Sequence, residues 1–277
     1  MHRDMLRRLY QGSCGICYAD PDVVQKMGSE GTSFRWAFQK DSGIHFVGSG
    51  LAIHPHLVLT AGHVVQGLIY DAGIPRDHIF CVFSAFPADV QGYVRGTLPL
   101  SFHRVHADYQ VGGNLLSGET ISHDSSHPRT DFAILELKLP APAFQALAFA
   151  RSLDVCVGDS VAIAGYPHGN DAIFQDIFAH PRIGPLLTFG HVASVHQATT
   201  EMGQCEIADF LIDATAARGA SGGPVCSETG EILGIVTGGL EQPVAGGQVP
   251  LNIVRALPLD RDLIPQFIKA IEPHLGT

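Results

Sequence analysis

The sequence predicts an all-β protein closed by a C-terminal helix, and three observations predict it. The 277 residues include 31 glycines and 17 prolines, a share well above the roughly 12% of average usage. Each would cost stability inside a helix, so the excess favours strands and turns over a helical bundle. Short apolar runs also recur at fairly regular intervals with turn residues between them. That is the pattern of a barrel or sandwich, not of strands alternating with helices. Finally, TDFAILELKL alternates: Asp131, Ala133, Leu135, Leu137 and Leu139 fall on one parity, with Glu136 and Lys138 on the other. A period of two is the signature of a strand.

The elements follow in order. Residues 1–42 are mixed in charge, carry no clear strand pattern and read as an N-terminal extension. From Ile44, IHFVGSGLAIHPHLVLTAGH holds two apolar runs around His-Pro-His, a hairpin. Residues 100–130 are polar and His-rich, with Gly112-Gly113 and Ser125-Ser126, and read as a long surface loop. After the strand at Asp131, the Pro-rich LPAPAFQ suits a connection between two halves. Strand-like runs resume at DSVAIAGYP, LLTFGHVASV, EIADFLIDA, EILGIVTGG and QVPLNIVRAL. Leu263, Ile264, Phe267, Ile268 and Ile271 then fall at helical spacing. Asp260 or Asp262 can cap the start, and Pro265 is tolerated only in the first turn. The expected boundaries are 1–42 for the extension, 43–140 for a first unit, 141–257 for a second and 258–277 for a helix packed on them. Residues 43–277 together make one domain.

Composition narrows the function. With 45% hydrophobic and 16% charged residues, the chain can bury a sizeable core and is not disordered. Its 17 basic and 27 acidic residues give a net charge of −10, which disfavours nucleic acid or an anionic membrane as partner. No apolar run approaches 18 residues, so no membrane span is expected. The start, MHRDMLRRLYQG, lacks a secretory leader pattern. Six cysteines, Cys14, Cys17, Cys81, Cys156, Cys205 and Cys226, are too sparse for a disulfide scaffold. A cytoplasmic protein in a reducing compartment is the expectation.

Three places could carry chemistry: His63 in TAGHVV, Asp131 at the head of its strand, and Ser221 in RGASGGPV. A serine hydroxyl is a poor nucleophile alone. It needs a base within reach, and the base needs a third group to fix its tautomer and stabilise its charged form. Amides aimed at the developing oxyanion complete the set. Gly219 lets the chain turn so that its amide and that of Ser221 point one way, and Gly222 and Gly223 leave room for a substrate backbone. Each piece has an ordinary structural reading. The order His, Asp, Ser with these surroundings is far more specific than any one of them.

These blocks resemble the three catalytic blocks of the chymotrypsin-like (trypsin-fold) serine proteases, and the HtrA-type branch more closely still. VGSG precedes the histidine strand. A VGDSVAIAGYPHG segment (Val157–Gly169) opens the second half, and TFGHVASV (Thr188–Val195) follows. DATAARGASGGP (Asp213–Pro224), TGEILGIVTGG and QVPLNIV (Gln248–Val254) come next. The similarity runs from Gly43 to Leu257 without a missing block. It implies a double six-stranded β-barrel, the first barrel carrying His63 and Asp131, the second Ser221. It also implies a Ser-His-Asp triad, an oxyanion hole from the amides of Gly219 and Ser221, an acyl-enzyme, a polypeptide substrate and no cofactor or metal.

By the same resemblance, Thr237, Gly238 and Gly239 are the edge that receives the substrate as an added strand. Thr215 is the pocket floor. No Asp lies there, so a Lys or Arg preference is not expected, because a buried cation would lack a partner. Val236 stands where glutamate-cutting relatives carry a histidine, so an acidic preference is also disfavoured. Cleavage after small or medium aliphatic residues is expected. Ala220 stands where pancreatic-type members have the aspartate that pairs with a new N-terminus. The oxyanion turn is therefore expected to be set by neighbouring loops such as 170–185, with residues 1–40 dispensable for activity. No PDZ-type domain is expected after the last block. Cys14-Gly-Ile-Cys17 could be half a zinc site or a redox pair, but ordinary thiols are the preferred reading. His54, His56, His103, His106, His123 and His127 read as surface. The alternative function is a protease-fold peptide-binding module with suppressed or partner-triggered activity. In that reading 1–42 and 100–130 are where a regulatory protein would act.

Overall fold

The computed structural model describes residues 3–30, 43–84, 97–107, 131–141, 144, 147–151, 154–166, 184–199, 205–215, 219–244, 247–259 and 261–275. Strands β1 (Ser13–Ala19), β2 (Ile44–His54), β3 (Leu57–Thr60), β4 (Ile79–Ser84), β5 (Thr97–Ala107) and β6 (Ala133–Leu137) close into one barrel in the order β1-β2-β3-β6-β5-β4. Strands β7 (Ser160–Gly165), β8 (Leu186–Thr199), β9 (Cys205–Ile212), β10 (Pro224–Ser227), β11 (Ile232–Val244) and β12 (Gly247–Pro258) close the second in the order β10-β11-β12-β9-β8-β7. Closure pairs each strand on both sides, apart from stretches where a strand outruns its neighbour. The predicted double six-stranded barrel and C-terminal helix are therefore present.

Two segments differ from the sequence reading. The first barrel begins at Ser13, not at residue 43. β1 pairs with β2 from Ser13↔Leu51 to Ala19↔Ile44, and with β4 from Cys14↔Phe83 to Tyr18↔Ile79. It showed no alternation because Cys14, Ile16, Cys17 and Ala19 are all at most 1% exposed, and its register shifts between Ile16 and Cys17. The N-terminal extension thus contains α1 (Arg3–Gly12), a barrel strand and α2 (Pro21–Glu30). Residues 97–107, part of which read as surface loop, form β5. A register shift between Phe102 and Arg104 changes its parity midway, so no period of two spans it. The rest of the expected loop, with His123 and His127, lies outside the described residues.

β6 alternates as expected, yet both its faces are covered. Ala133, Leu135 and Leu137 enter the first-barrel core with Cys14, Val58 and Phe83. Phe132 and Ile134 enter a shared core between the barrels, and Glu136 on that parity is also buried. The shared core joins Leu51, Leu57 and Leu59 of the first barrel to Ala162, Ala164, Ile235 and Leu257 of the second. Met5 and Leu9 of α1 close it on one side. Ile264, Phe267 and Ile271 of the C-terminal helix (Leu263–Ile271) close it on another. Asp262 occupies the N-cap position of that helix without a side-chain capping hydrogen bond, and Pro265 stands in its first turn. Burying each large side chain is worth about 1.5–3 kcal/mol, so the two helices fasten the barrels together. No helix among the described residues is long and apolar enough to cross a membrane.

Candidate active site

The strand register brings two of the three predicted groups together. Thr60 pairs with Ala133 across the antiparallel β3–β6 ladder. His63, three residues past Thr60, and Asp131, two before Ala133, therefore emerge at the same end. Ala61 is the N-cap of a single helical turn, Gly62–Val65, that holds His63. The Asp131 carboxylate then takes both donors of that residue. Oδ1 accepts the His63 backbone N–H at 2.8 Å and Oδ2 accepts from Nδ1 at 2.8 Å. A carboxylate is an acceptor only, so Nδ1 is the donor here, and in the neutral ring Nε2 carries the lone pair. The two side chains remain about a third exposed.

Ser221 comes from the second barrel, in a turn between β9 and β10. The turn is seated on β11 by Gly222 N–H donating to Val236 O at 2.7 Å and Val236 N–H donating to Gly223 O at 2.8 Å. It is seated on the first barrel by Ser49 N–H donating to Ser221 O at 2.7 Å. Gly222 is the closest approach: at φ +86° it has no room for a Cβ, which would collide with Ser49 O, Thr60 Oγ1 and Ala61 N. Gly48 is less tightly placed: a Cβ there would press on a Val64 methyl at 2.7 Å and lie 3.3 Å from the Ser221 carbonyl. The Ser221 turn thus docks directly on the strand end that carries His63. Gly219 adopts φ +95°. The amides of Gly219 and Ser221 donate to no acceptor among the described residues.

The strand stretch expected to receive the substrate is unpaired along one side among the described residues. β10 covers β11 only from Ile232 to Ile235, and the Ser221 turn covers Val236. Thr237, Gly238 and Gly239 follow with β12 on one side and no strand on the other among the described residues. A Cβ on Gly238 would meet nothing within 4 Å. The pocket residues are less clearly assembled. Val236 is 1% exposed and packs in the second-barrel core that also includes Ala220, while Thr215 is exposed. The loop 170–183, expected to set the oxyanion turn, lies outside the described residues, as does Pro167–Gly169. Ser49, in the VGSG segment, is a further residue of this region that no local sequence signal marks.

Cys14 lies in the first-barrel core and Cys17 in the separate cluster with Phe46, Phe80 and Tyr166; burial pushes both thiols well above their ordinary range, with Cys81 adding to it. Such thiols are not nucleophilic. No group of three or more His, Cys, Asp or Glu suited to a metal ion occurs among the described residues. His54 and His56 stand at the β2–β3 turn, with His54 Nε2 3.5 Å from Glu272 Oε1. His103 and His106 fall on β5.

A family profile described as trypsin-like peptidase domain matches residues 48–235. A protein of Brucella suis named probable periplasmic serine endoprotease DegP-like is 31% identical over 158 residues, covering 57% of this chain and 27% of that protein. A Rhizobium meliloti protein of the same name is 29% identical over the same length. The chain thus spans about a quarter of the length of the curated relatives it matches. Among solved structures, the HtrA-type protease AlgW with tripeptide is similar at a TM-score of 0.53 and 18% identity, over 98% of this chain and 63% of that one. Deg5 is similar at 0.52 and 16%, over 98% and 94%. The cytoplasmic expectation is overturned, because the relatives are named as periplasmic and point outside the cytoplasm; a leader pattern missing from the first residues does not bear on that. With the profile spanning more than half of its length and the barrels arranged as described, the chain belongs to the trypsin-like peptidase domain family.

Proposed function

We propose that the protein is a serine endopeptidase acting outside the cytoplasm on polypeptides, with Ser221 as nucleophile, His63 as base and Asp131 as its orienting carboxylate. The observation that carries this is the double grip of Asp131 on His63 N–H and Nδ1, on the face where the Ser221 turn docks. His63 Nε2 takes the proton from Ser221 Oγ as that oxygen bonds to the scissile carbonyl carbon. The carbonyl electrons move onto oxygen, facing the amides of Gly219 and Ser221. The C–N bond then breaks, and the leaving amine takes the proton from Nε2. Water, deprotonated by His63, hydrolyses the acyl ester and returns Ser221. The substrate lies as a strand along Thr237–Gly239.

A fluorophosphonate probe reacts with an activated serine by forming an ester to phosphorus. Wild-type protein is expected to label, and Ser221→Ala to lose labelling with its melting temperature unchanged. Wild type that neither labels nor cleaves a mixed peptide library sinks the reading in favour of a peptide-binding module.

By the family resemblance Thr215 and Val236 border the primary pocket, and neither carries a charge. Cleavage of a peptide library is therefore expected mainly after small or medium aliphatic residues. Cleavage mainly after Arg, Lys or Glu would contradict that pocket.

A further inference from the structure

The turn that carries Ser221 has little of its own to hold it. Gly219 and Gly222 occupy positive φ, where glycine peptides rotate at low cost, and Ala220 offers no charged side chain. Three successive carbonyls of the turn are nonetheless committed. Ala220 O accepts from Gly223 N–H at 2.9 Å and Ser221 O accepts from Ser49 N–H at 2.7 Å. Gly219 O accepts from the Ser49 hydroxyl at 2.6 Å. Two of the three anchors therefore come from one residue of the opposite barrel.

Ser49 is itself held on every side. It is fully buried. Its Oγ accepts the Tyr166 N–H at 2.9 Å while donating to Gly219 O. Its carbonyl accepts from Thr60 Oγ1 at 2.7 Å, on the strand that leads to His63. Tyr166, at the end of β7, crosses into the first barrel. Its ring stacks on Phe46 with centroids 5.6 Å apart, and its hydroxyl donates to Val82 O at 3.3 Å. The Tyr166 amide is thus a fixed donor, and the Ser49 hydroxyl has one orientation that satisfies both neighbours.

We infer that Ser49 is a positioning residue for catalysis: its hydroxyl, bonded between the Tyr166 amide and the Gly219 carbonyl, holds the oxyanion turn in working conformation. This rests on the serine endopeptidase reading. The peptide unit is planar, so pinning Gly219 O sets ψ of Gly219 and φ of Ala220 together. Ala220 O, fixed by the Gly223 N–H, lies in the same planar peptide as the Ser221 N–H, so the Ser221 amide keeps its direction before substrate arrives, and the pinned 219–220 peptide limits how the neighbouring Gly219 can turn. Removing the hydroxyl leaves Gly219 O and Tyr166 N–H without a partner in a dry site, which is costly. The glycine peptide is then free to rotate toward another partner.

The test uses the full chain, a peptide substrate, a peptidyl boronate that bonds to Ser221 Oγ and mimics the tetrahedral state, and the same peptide ending in an alcohol. Ser49→Ala is expected to lower kcat roughly 10- to 100-fold, somewhat less than the ~10²–10³ seen when an oxyanion donor is deleted outright. KM and alcohol affinity should stay within about twofold, while boronate affinity falls with kcat. Wild-type values of kcat and boronate affinity overturn the inference. So does equal weakening of boronate and alcohol, which would mark general damage to the site. If Ser49→Ala loses cooperative melting, Ser49→Gly deletes the same hydroxyl and is read by the same criteria. Wild type that forms no boronate adduct at Ser221 would instead overturn the endopeptidase reading.

Discussion

Asp131→Asn is expected to lower kcat about 10⁴-fold, the scale of the same change in a well-studied triad, with the fold intact. The reason lies in the two donors that meet this side chain, the backbone N–H and ring Nδ1 of His63, each at 2.8 Å from a different carboxylate oxygen. Asparagine has one oxygen and one NH₂. The backbone N–H cannot become an acceptor, so the amide oxygen goes to it and the NH₂ faces Nδ1. The neutral imidazole must then carry its proton on Nε2, the nitrogen that accepts the Ser221 proton in the proposed mechanism. The variant keeps the shape of the site and holds the wrong tautomer. Steady-state kcat with a peptide substrate reads the loss, and circular dichroism with thermal melting checks the fold. A loss below tenfold in a folded variant would mean that Asp131 is a structural cap of the Gly62–Val65 turn and not part of the catalytic apparatus.

The partners in this site differ in how far the sequence revealed them. His63, Asp131 and Ser221 sit in local patterns, a strand end, an alternating run and a glycine-rich turn, that can be read within ten residues. The second barrel was also legible, because its strands are separated by clear turn residues. β1 and β5 were not. β1 is buried on both sides and interrupted by a register shift, and β5 changes parity at Phe102–Arg104. In both, the alternation that marks a half-buried strand is lost. Glu136 misled in the opposite direction: its parity was right, but the face it occupies is covered by the second barrel. Ser49 shows a further limit. Its partners Tyr166 and Gly219 are 117 and 170 residues away, so nothing local records that its hydroxyl is shared between them.

Deletion of residues 1–19 is expected to abolish folding, in contrast to the dispensable extension that the sequence suggested. β1 is hydrogen-bonded on both edges, to β2 and to β4, and its removal leaves two long unpaired edges. It also strips Cys14, Ile16 and Cys17 from beside Phe83, Val58 and Phe46, opening both cores that line the strand. Leu9, fully buried in the seam, is lost with it. Domains of this kind are stable by only about 5–15 kcal/mol, and each large side chain buried contributes about 1.5–3 kcal/mol, so the loss exceeds the reserve. The truncated chain should show no near-UV circular dichroism, bind a hydrophobic dye and fail to react with the fluorophosphonate. A chain beginning at Ser13 keeps the strand and loses only α1, with Met5 and Leu9. It should fold with a lowered melting temperature and still label. If the 1–19 deletion melted cooperatively and labelled like wild type, closure of the first barrel would not depend on β1, and the position of His63 would have to be set by the β2–β3–β6 half of that barrel alone.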